Sequence, residues 1–469
     1  MNAIRLLTLA PFYLLVTTGC AGTLPPPQHP TDLPKNVDTI ARDVLEKTGV
    51  PSASVAVVQS GKIAYVKAYG NARLDPLAPA APDMRYCIGS ISKQFTAAAV
   101  MLLVEEGKLG LDDPISKYVP GLTRGDDITI RMLLSHTSGY QDYAPQDYMI
   151  PDWEKPISGQ AILDRWAKRP LDFEPGTKWQ YSNTNFVIAG MIIEKAGGAP
   201  LFDLLKRRVF DPLGMRSVTN SDLKKLSETD PTGYLRHALG PLHPAPKEGP
   251  GWMFAAGELA MTAEDLAKWD IALMHGAALT PASYRAIETE VLLKSGAGTH
   301  YGLGIGVRMV SSHRVLEHGG EVSGYVAENV VLPDDDLAIV VLTNQDASAA
   351  ADQIATRTRE ALLEMAVPRN EEKNRAIRRI FDDLALGKID RSLFTPNANQ
   401  YFGERALRDY SESLSKLGKP DSFAQKRTSS RGGMTFRRFE VKYPKKTLNL
   451  TIYETAEGKF EQFLIDAED

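Results

Sequence analysis

Apolar residues recur along this chain with two periods, and the two alternate in blocks. Residues 35–48 carry them at helical spacing, and SVAVVQSGKIAYVKAYG (54–70) then switches to runs that suit a strand pair turning at Ser60-Gly61. From Ser90 the helical period returns, with Ile91, Phe95, Ala98, Met101 and Leu102 on one face and Gly107 as a stop signal. A Pro-Gly turn and an aromatic pair in FEPGTKWQYSNTNFVIAGMIIE (173–194) lead into another apolar helix that begins near Asn185. Strand-like runs come back only after about residue 300, on either side of a turn at Pro333 to Asp336, and a helix from about Ala351 to Met365 closes the block. Between the strand regions lie mostly helices and long loops. Chain order of this kind predicts an α+β domain over 35–367.

After Pro368 the pattern changes. RNEEKNRAIRRIFDDLA (369–385) is a charged amphipathic helix, a second helical stretch covers about 403–417, and alternating strands follow through Phe439, Val441 and Tyr443, then Leu448, Leu450 and Ile452, then a turn at Glu457-Gly458 before Phe460. We read 368–469 as a small α+β accessory domain, similar in outline to cystatin- or NTF2-like folds without a motif to support the analogy. It has four candidate roles: covering a site, mediating dimers, binding cell wall, or packing passively on the larger domain.

Composition narrows the function classes. A chain of 469 residues can bury a large core, and a net charge of −4 with acids and bases mixed along its length points away from nucleic acid. At the N-terminus, Arg5 precedes an apolar run from Leu6 to Val16 and small residues up to Cys20, the layout of a secretory signal over 1–20 and too short an apolar run for a stable membrane span. Thr17-Thr18-Gly19-Cys20 resembles a bacterial lipoprotein cleavage box, with Thr17 where leucine is usual. The expected location is extracytoplasmic, either tethered to a membrane through lipidated Cys20 or secreted, with 21–34 as a Pro-rich spacer. Cys87, the other cysteine, then has no internal partner and reads as a packed small residue or a reactive thiol. The eight histidines lack zinc-site spacing, so no metal or other cofactor is expected.

Three short motifs carry the candidate chemistry. Ser90 and Lys93 in GSISK (89–93) lie one helical turn apart, at a helix start whose unpaired N–H groups and dipole favour negative charge. Burial lets a lysine, ordinarily of pKa about 10.4, act as a base near neutrality, and Lys93 could then deprotonate Ser90. Ser-x-x-Lys also occurs at Ser221 to Lys224 and Ser413 to Lys416, and the apolar helix that follows Ser90 chooses among the three. Tyr181-Ser182-Asn183 sits at a loop-to-helix corner, where a phenol can shuttle a proton and an amide can hold a substrate carbonyl or the lysine. Tyr69-Gly70-Asn71 has the same form but reads as a hairpin edge. His318-Gly319-Gly320 lies on a late strand, where paired glycines allow close backbone approach; the N–H of Glu321 there and that of Ser90 make a candidate oxyanion pair. His300-Tyr301-Gly302 ranks below it.

Together, in this order, the motifs resemble the serine β-lactamase and penicillin-binding-protein superfamily, in its class C β-lactamase, D-aminopeptidase and esterase branch, the S12 peptidase group. The resemblance covers about 35–366 and includes ITIRMLLSHTSGY (128–140), FEPGTKWQYSN (173–183), FAAGELAMTAEDLAKW (254–269), YGLGIGV (301–307) and VVLTNQD (340–346). It implies an antiparallel sheet flanked by terminal helices plus a helical lobe, with the site between them. It also implies Ser90 as nucleophile, Lys93 as base, Tyr181 and Asn183 as proton-relay and substrate-holding pair, and His318, Gly319, Gly320 and Glu321 along the oxyanion strand. The expected function is a serine hydrolase forming an acyl-enzyme on D-residue peptides or small esters, with a small-molecule or peptide substrate as its partner. β-Lactam hydrolysis and a slowly acylating sensor are the alternatives. Where class C β-lactamases and many DD-peptidases carry Lys-Thr-Gly this chain has His318-Gly319-Gly320, so a weaker clamp on a substrate carboxylate is expected. The loops 141–159 and about 221–257 are expected substrate walls, or else plain surface excursions.

Overall fold

The computed structural model describes residues 33–310, 313–363, 374–431, 434–455 and 457–467. The signal, Cys20 and most of the spacer lie outside the described residues, as do 369–373 of the charged helix.

A seven-stranded antiparallel sheet forms the frame. Its order is Leu77–Pro79, Lys62–Leu74, Ser52–Gln59, Leu337–Thr343, Tyr325–Leu332, His313–Val322 and Gly306–Val310. Ser60 (φ 50°) and Gly61 (φ 67°) make the left-handed turn predicted between the first two long strands. The first strand pairs with the last, Ala53 opposite Thr343, so the two ends of the larger domain close one sheet.

Alternation along the central strands divides the core. Val55 and Val57 face one way, with Ile339 and Val341, and pack with Val37, Val44 and Ile354 of the terminal helices Leu33–Thr48 and Ala350–Leu363. Ala56 and Val58 face the other way, with Val340 and Leu342, toward the helical lobe. There helix Ser92–Glu105 is buried on nearly every side, the Phe95 ring tilted against Trp269 (4.8 Å) and edge-on to Phe210 (5.5 Å). That all-round burial explains why its sequence is apolar rather than amphipathic.

The expectation that strands return only after residue 300 is corrected. Short strands Tyr86–Cys87, Thr219–Asn220 and Leu259–Met261 form a small sheet, and Tyr234–Leu235 pairs with His243–Pro244. Two- and three-residue strands leave no periodic trace in a sequence.

The C-terminal region is four antiparallel strands, Ser422–Arg431, Met434–Tyr443, Lys446–Glu454 and Phe460–Ala467, with helices Asn374–Ala385 and Glu404–Leu414. The Ser422–Arg431 strand and the helix Pro396–Tyr401 were not anticipated. Its buried residues, such as Phe381, Phe439 and Leu450, belong to the same continuous cluster as the helical lobe. Among the described residues no helix is long and apolar enough to cross a membrane.

Candidate active site

Ser90 occupies a single 3-10 turn, Gly89–Ile91, that runs directly into helix Ser92–Glu105. This places Lys93 one turn further on, with no solvent exposure at all. Its Nζ donates to Ser90 Oγ at 2.9 Å, to Asn183 Oδ1 at 2.7 Å and to the carbonyl of Ala256 at 2.8 Å. An ammonium has three protons and here meets three acceptors, one of them the serine oxygen.

Asn183 opens helix Asn183–Gly197, two residues before the expected start. Its side chain is oriented from behind: Nδ2 donates to both carboxylate oxygens of Asp142 (3.1 and 3.3 Å), and its backbone N–H donates to Asp142 Oδ1 at 2.9 Å. With the NH2 end so engaged, the amide oxygen must face Lys93. Tyr181 precedes the helix, 6 % exposed, with Lys93 Nζ 4.9 Å from its ring centroid. The His136 ring lies 4.3 Å from it, centroid to centroid, and the His318 ring 6.1 Å.

His136 is fully buried at φ 58° and accepts the Ser182 N–H on Nδ1 at 3.1 Å. Burial, with the charge of Lys93 adding, pushes its pKa well below the usual value, so the ring is neutral. It fixes the strand-like residue between tyrosine and asparagine.

The strand His313–Val322 closes the site from the sheet side. A Cβ on Gly320 would fall 1.9 Å from the carbonyl oxygen of Ile88 and 3.1 Å from the Ser90 nitrogen, and one on Gly89 (φ 51°) would fall 2.6 Å from the Glu321 nitrogen. Only glycine at both positions lets the strand edge lie against the Ser90 turn. Gly319 is less constrained, since its Cβ would meet the tip of the Glu328 side chain. The two candidate oxyanion nitrogens, of Ser90 and Glu321, are thus brought to one place. The Glu321 carboxylate accepts the Ala347 N–H at 2.7 Å.

His318 is buried in this strand. The Tyr301 hydroxyl, held protonated by burial, donates to Nε2 at 2.7 Å, and Nδ1–H donates to the Gly319 carbonyl at 2.6 Å. Those bonds fit a neutral imidazole in one tautomer.

The other wall of the cleft comes from the two loops singled out in the sequence. Tyr143, Asp147, Tyr148 and Trp153 line it from the first, and Glu248 and Met253 from the second. Asp346, just past strand Leu337–Thr343, joins them; burial, with Glu248 and Asp147 adding, pushes its pKa up to about 7. Burial also pushes Glu248 up. The C-terminal strand Phe460–Ala467 backs this wall: Gln462 Oε1 accepts the Asp147 N–H at 2.8 Å, and the Tyr148 hydroxyl donates to the Glu461 carbonyl at 3.1 Å.

The rival motifs do not supply the nucleophile or the lysine, although Tyr301 of one of them reaches His318. Ser221 Oγ donates to the Glu258 carbonyl, Ser413 is on the C-terminal helix Glu404–Leu414, Gly70 packs on the Pro51 carbonyl, and His300 is exposed beside Glu290. Three contributors were not singled out: Asp142, His136 and Tyr301. The last two stand inside the strings SHTSGY and YGLGIGV, and Asp142 stands in the aromatic, acidic first loop, but none has a partner near it in sequence.

Among known proteins, the beta-lactamase family model matches residues 37–363. Penicillin-binding protein 4* of Bacillus subtilis is 28% identical over 344 residues, covering 70% of this chain and 76% of that protein. A D-aminopeptidase of Brucella anthropi is 29% identical over 324 residues, covering 67% of this chain and 60% of that protein. The D-amino acid amidase of Ochrobactrum anthropi SV3, solved with D-phenylalanine, is 26% identical with a TM-score of 0.64, covering 71% of this chain and 99% of that one. An octameric penicillin-binding protein homologue from Pyrococcus abyssi, at 22% identity and a TM-score of 0.63, covers 93% of this chain and all of that one, and shares its fold. The chain belongs to the beta-lactamase family and is a serine hydrolase of that fold.

Proposed function

Within the beta-lactamase family, we propose that this chain is an acyl-transfer hydrolase working through Ser90, Lys93 and Tyr181 on amides and peptides of D-amino acids or on small esters. The observation that carries the reading is the 2.9 Å contact between a wholly buried Lys93 amine and Ser90 Oγ. In its neutral form Lys93 takes the Ser90 proton as Oγ attacks the substrate carbonyl. The tetrahedral oxyanion is held by the N–H groups of Ser90 and Glu321. Tyr181 relays a proton to the departing amine or alkoxide, leaving an ester on Ser90. Water then attacks that ester, gives up a proton to the same relay, and releases the acid with Ser90 restored. Asn183, oriented by Asp142, holds the lysine and a substrate carbonyl.

The electrostatics of the cleft support the substrate class. The lining holds Asp147, Glu248, Glu321 and Asp346 and, among the described residues, no lysine or arginine, with burial favouring the neutral form of Glu248 and Asp346, and a histidine bonded to Tyr301 stands at the position of the family's Lys-Thr-Gly lysine. A substrate bearing an ammonium suits that field; one bearing a free carboxylate, as penicillins and D-Ala-D-Ala termini do, does not. Relatives named D-aminopeptidase and D-amino acid amidase agree with this direction. In His318→Lys, acylation by a penicillin probe should rise about tenfold; an unchanged rate would remove the clamp from the argument.

The test is a parallel panel of D-aminoacyl amides, D-Ala-D-Ala peptides, p-nitrophenyl esters and nitrocefin, with Ser90→Ala and Lys93→Ala as blanks. Continued turnover of amides or esters, lost in both variants, is expected. One stoichiometric burst without turnover would make the protein a sensor instead, and preferred turnover of nitrocefin a β-lactamase. The proposed location is extracytoplasmic with a lipid tether at Cys20, supported by the N-terminal sequence alone; Cys20→Ser should then release the protein from membranes.

A further inference from the structure

The cleft beside Ser90 is narrow, with about 50 Å³ open to a water-sized sphere. Next to it lies a second chamber with about 610 Å³ open. The two share Glu248, Met253, Gly257, Val322 and Ser323 as walls, so a substrate whose scissile bond reaches Ser90 has the larger space immediately beside it.

Most of the charged groups in the chamber wall are engaged within the wall. The Asp230 carboxylate pairs with Arg85 at 2.5 Å, and Lys247 donates to the Asp222 carbonyl at 3.1 Å. The Asp222 carboxylate accepts from the N–H groups of Gly251 and Met253, and Glu248 accepts the Ser323 N–H at 2.7 Å. Arg73 donates to the carbonyls of Glu228 and Asp230. Apart from Lys225 and the Glu228 carboxylate, the remaining lining is largely apolar, with Pro76, Leu226, Pro231, Val322 and Tyr325. A chamber of this size with a largely apolar lining points to an apolar ligand group.

We propose that this chamber is a substrate subsite for a long, unbranched alkyl group attached on either side of the bond cleaved at Ser90. The inference rests on the hydrolase reading and narrows its substrates to amphiphilic amides and esters. No chemical step is added: the alkyl group only binds.

Two ester pairs test it below their micellar concentrations: p-nitrophenyl decanoate against p-nitrophenyl acetate, and decyl acetate against methyl acetate. Each buried methylene favours binding about fourfold, so burying about three of those that distinguish the long from the short ester in either pair suffices for more than tenfold. In at least one pair kcat/KM should rise at least tenfold with the long chain. In Ala245→Trp, or in Thr232→Phe should the first not fold, that ratio should fall to within threefold of one. A ratio below threefold in both wild-type pairs, or a ratio left intact in a folded variant, overturns the chamber while short-ester turnover keeps the hydrolase. If the wild-type protein turns over neither short esters nor D-aminoacyl amides above the Ser90→Ala blank, the hydrolase reading itself fails and takes this inference with it.

Discussion

The two walls of the cleft are built on different principles. On the Ser90 side, backbone meets backbone: the 3-10 turn, the strand edge at Gly320 and the start of helix Asn183–Gly197 converge with no side-chain bulk between turn and strand. On the opposite side, loops 141–159 and 221–257 also meet through main-chain bonds, Gly249 N–H to the Trp153 carbonyl at 2.7 Å and Ile157 N–H to the Pro250 carbonyl at 2.9 Å, but the first loop is tied to the C-terminal sheet by side chains, Gln462 on the Asp147 N–H and Tyr148 on the Glu461 carbonyl. Main-chain geometry permits few alternatives, whereas a side-chain bond can be exchanged for water. The Ser90 wall is therefore fixed, and the adjustable part of the opposite wall is its tie to the C-terminal sheet.

Replacing Gly320 by Ala strikes the fixed wall hardest. Its Cβ would lie 1.9 Å from a carbonyl oxygen, so the strand must withdraw from Ser90. Since one oxyanion donor is worth roughly 10²–10³ in rate, kcat/KM on an active ester should drop about 1000-fold or more, with a lowered Tm. Activity within tenfold of wild type would show that the strand does not set the oxyanion site.

Asp142 lies where the walls meet. Asp142→Ala frees the Asn183 amide to rotate, and kcat should fall roughly 10- to 100-fold through loss of a charge-assisted hydrogen-bond set. Single-turnover acylation rates separate this from weaker binding; an unchanged acylation rate would move Asp142 to the recognition side.

The opposite wall should also report pH. Asp346 has a folded pKa of about 7 against 3.8 for the free carboxyl, so between those values the folded protein holds a proton that the unfolded chain has released. Stability contributed by this group is complete below pH 3.8 and is lost as pH rises toward 7, by at most about 1.4 kcal/mol per pH unit. Asp346→Asn should flatten that part of the urea-stability profile between pH 4 and 7. An identical slope in both proteins would mean that the carboxyl titrates normally.

The mildest change is Gln462→Ala. Removing the acceptor for the Asp147 N–H leaves the loop to water, worth about 1 kcal/mol, so KM should rise three- to tenfold with kcat within twofold. A loss in kcat instead would mean that the C-terminal sheet acts on the chemistry, contrary to the contrast drawn between the walls.

Much of the chemistry was visible before the fold because its pieces are local. Ser90 and Lys93 are one helical turn apart, Tyr181 and Asn183 flank a helix start, and His318 to Glu321 form one strand. Their partners were hidden for the opposite reason. Asp142 meets Asn183 across 41 residues, Tyr301 meets His318 across 17, and Gln462 meets Asp147 across 315. No periodicity links such pairs. The accessory domain shows the same limit: its alternating strands could be read, but not the surface they pack on.

Residue type and spacing thus determined the candidate reactive groups, the helices and strands that carry them, and the α+β class, because those follow from forces acting within a few residues. Tertiary structure alone decided which glycines admit the strand edge, which carboxylates gather in the cleft, and that His318 is buried and bonded to Tyr301. Each of those depends on groups far apart in sequence being pressed together by burial, and burial is a property of the whole fold.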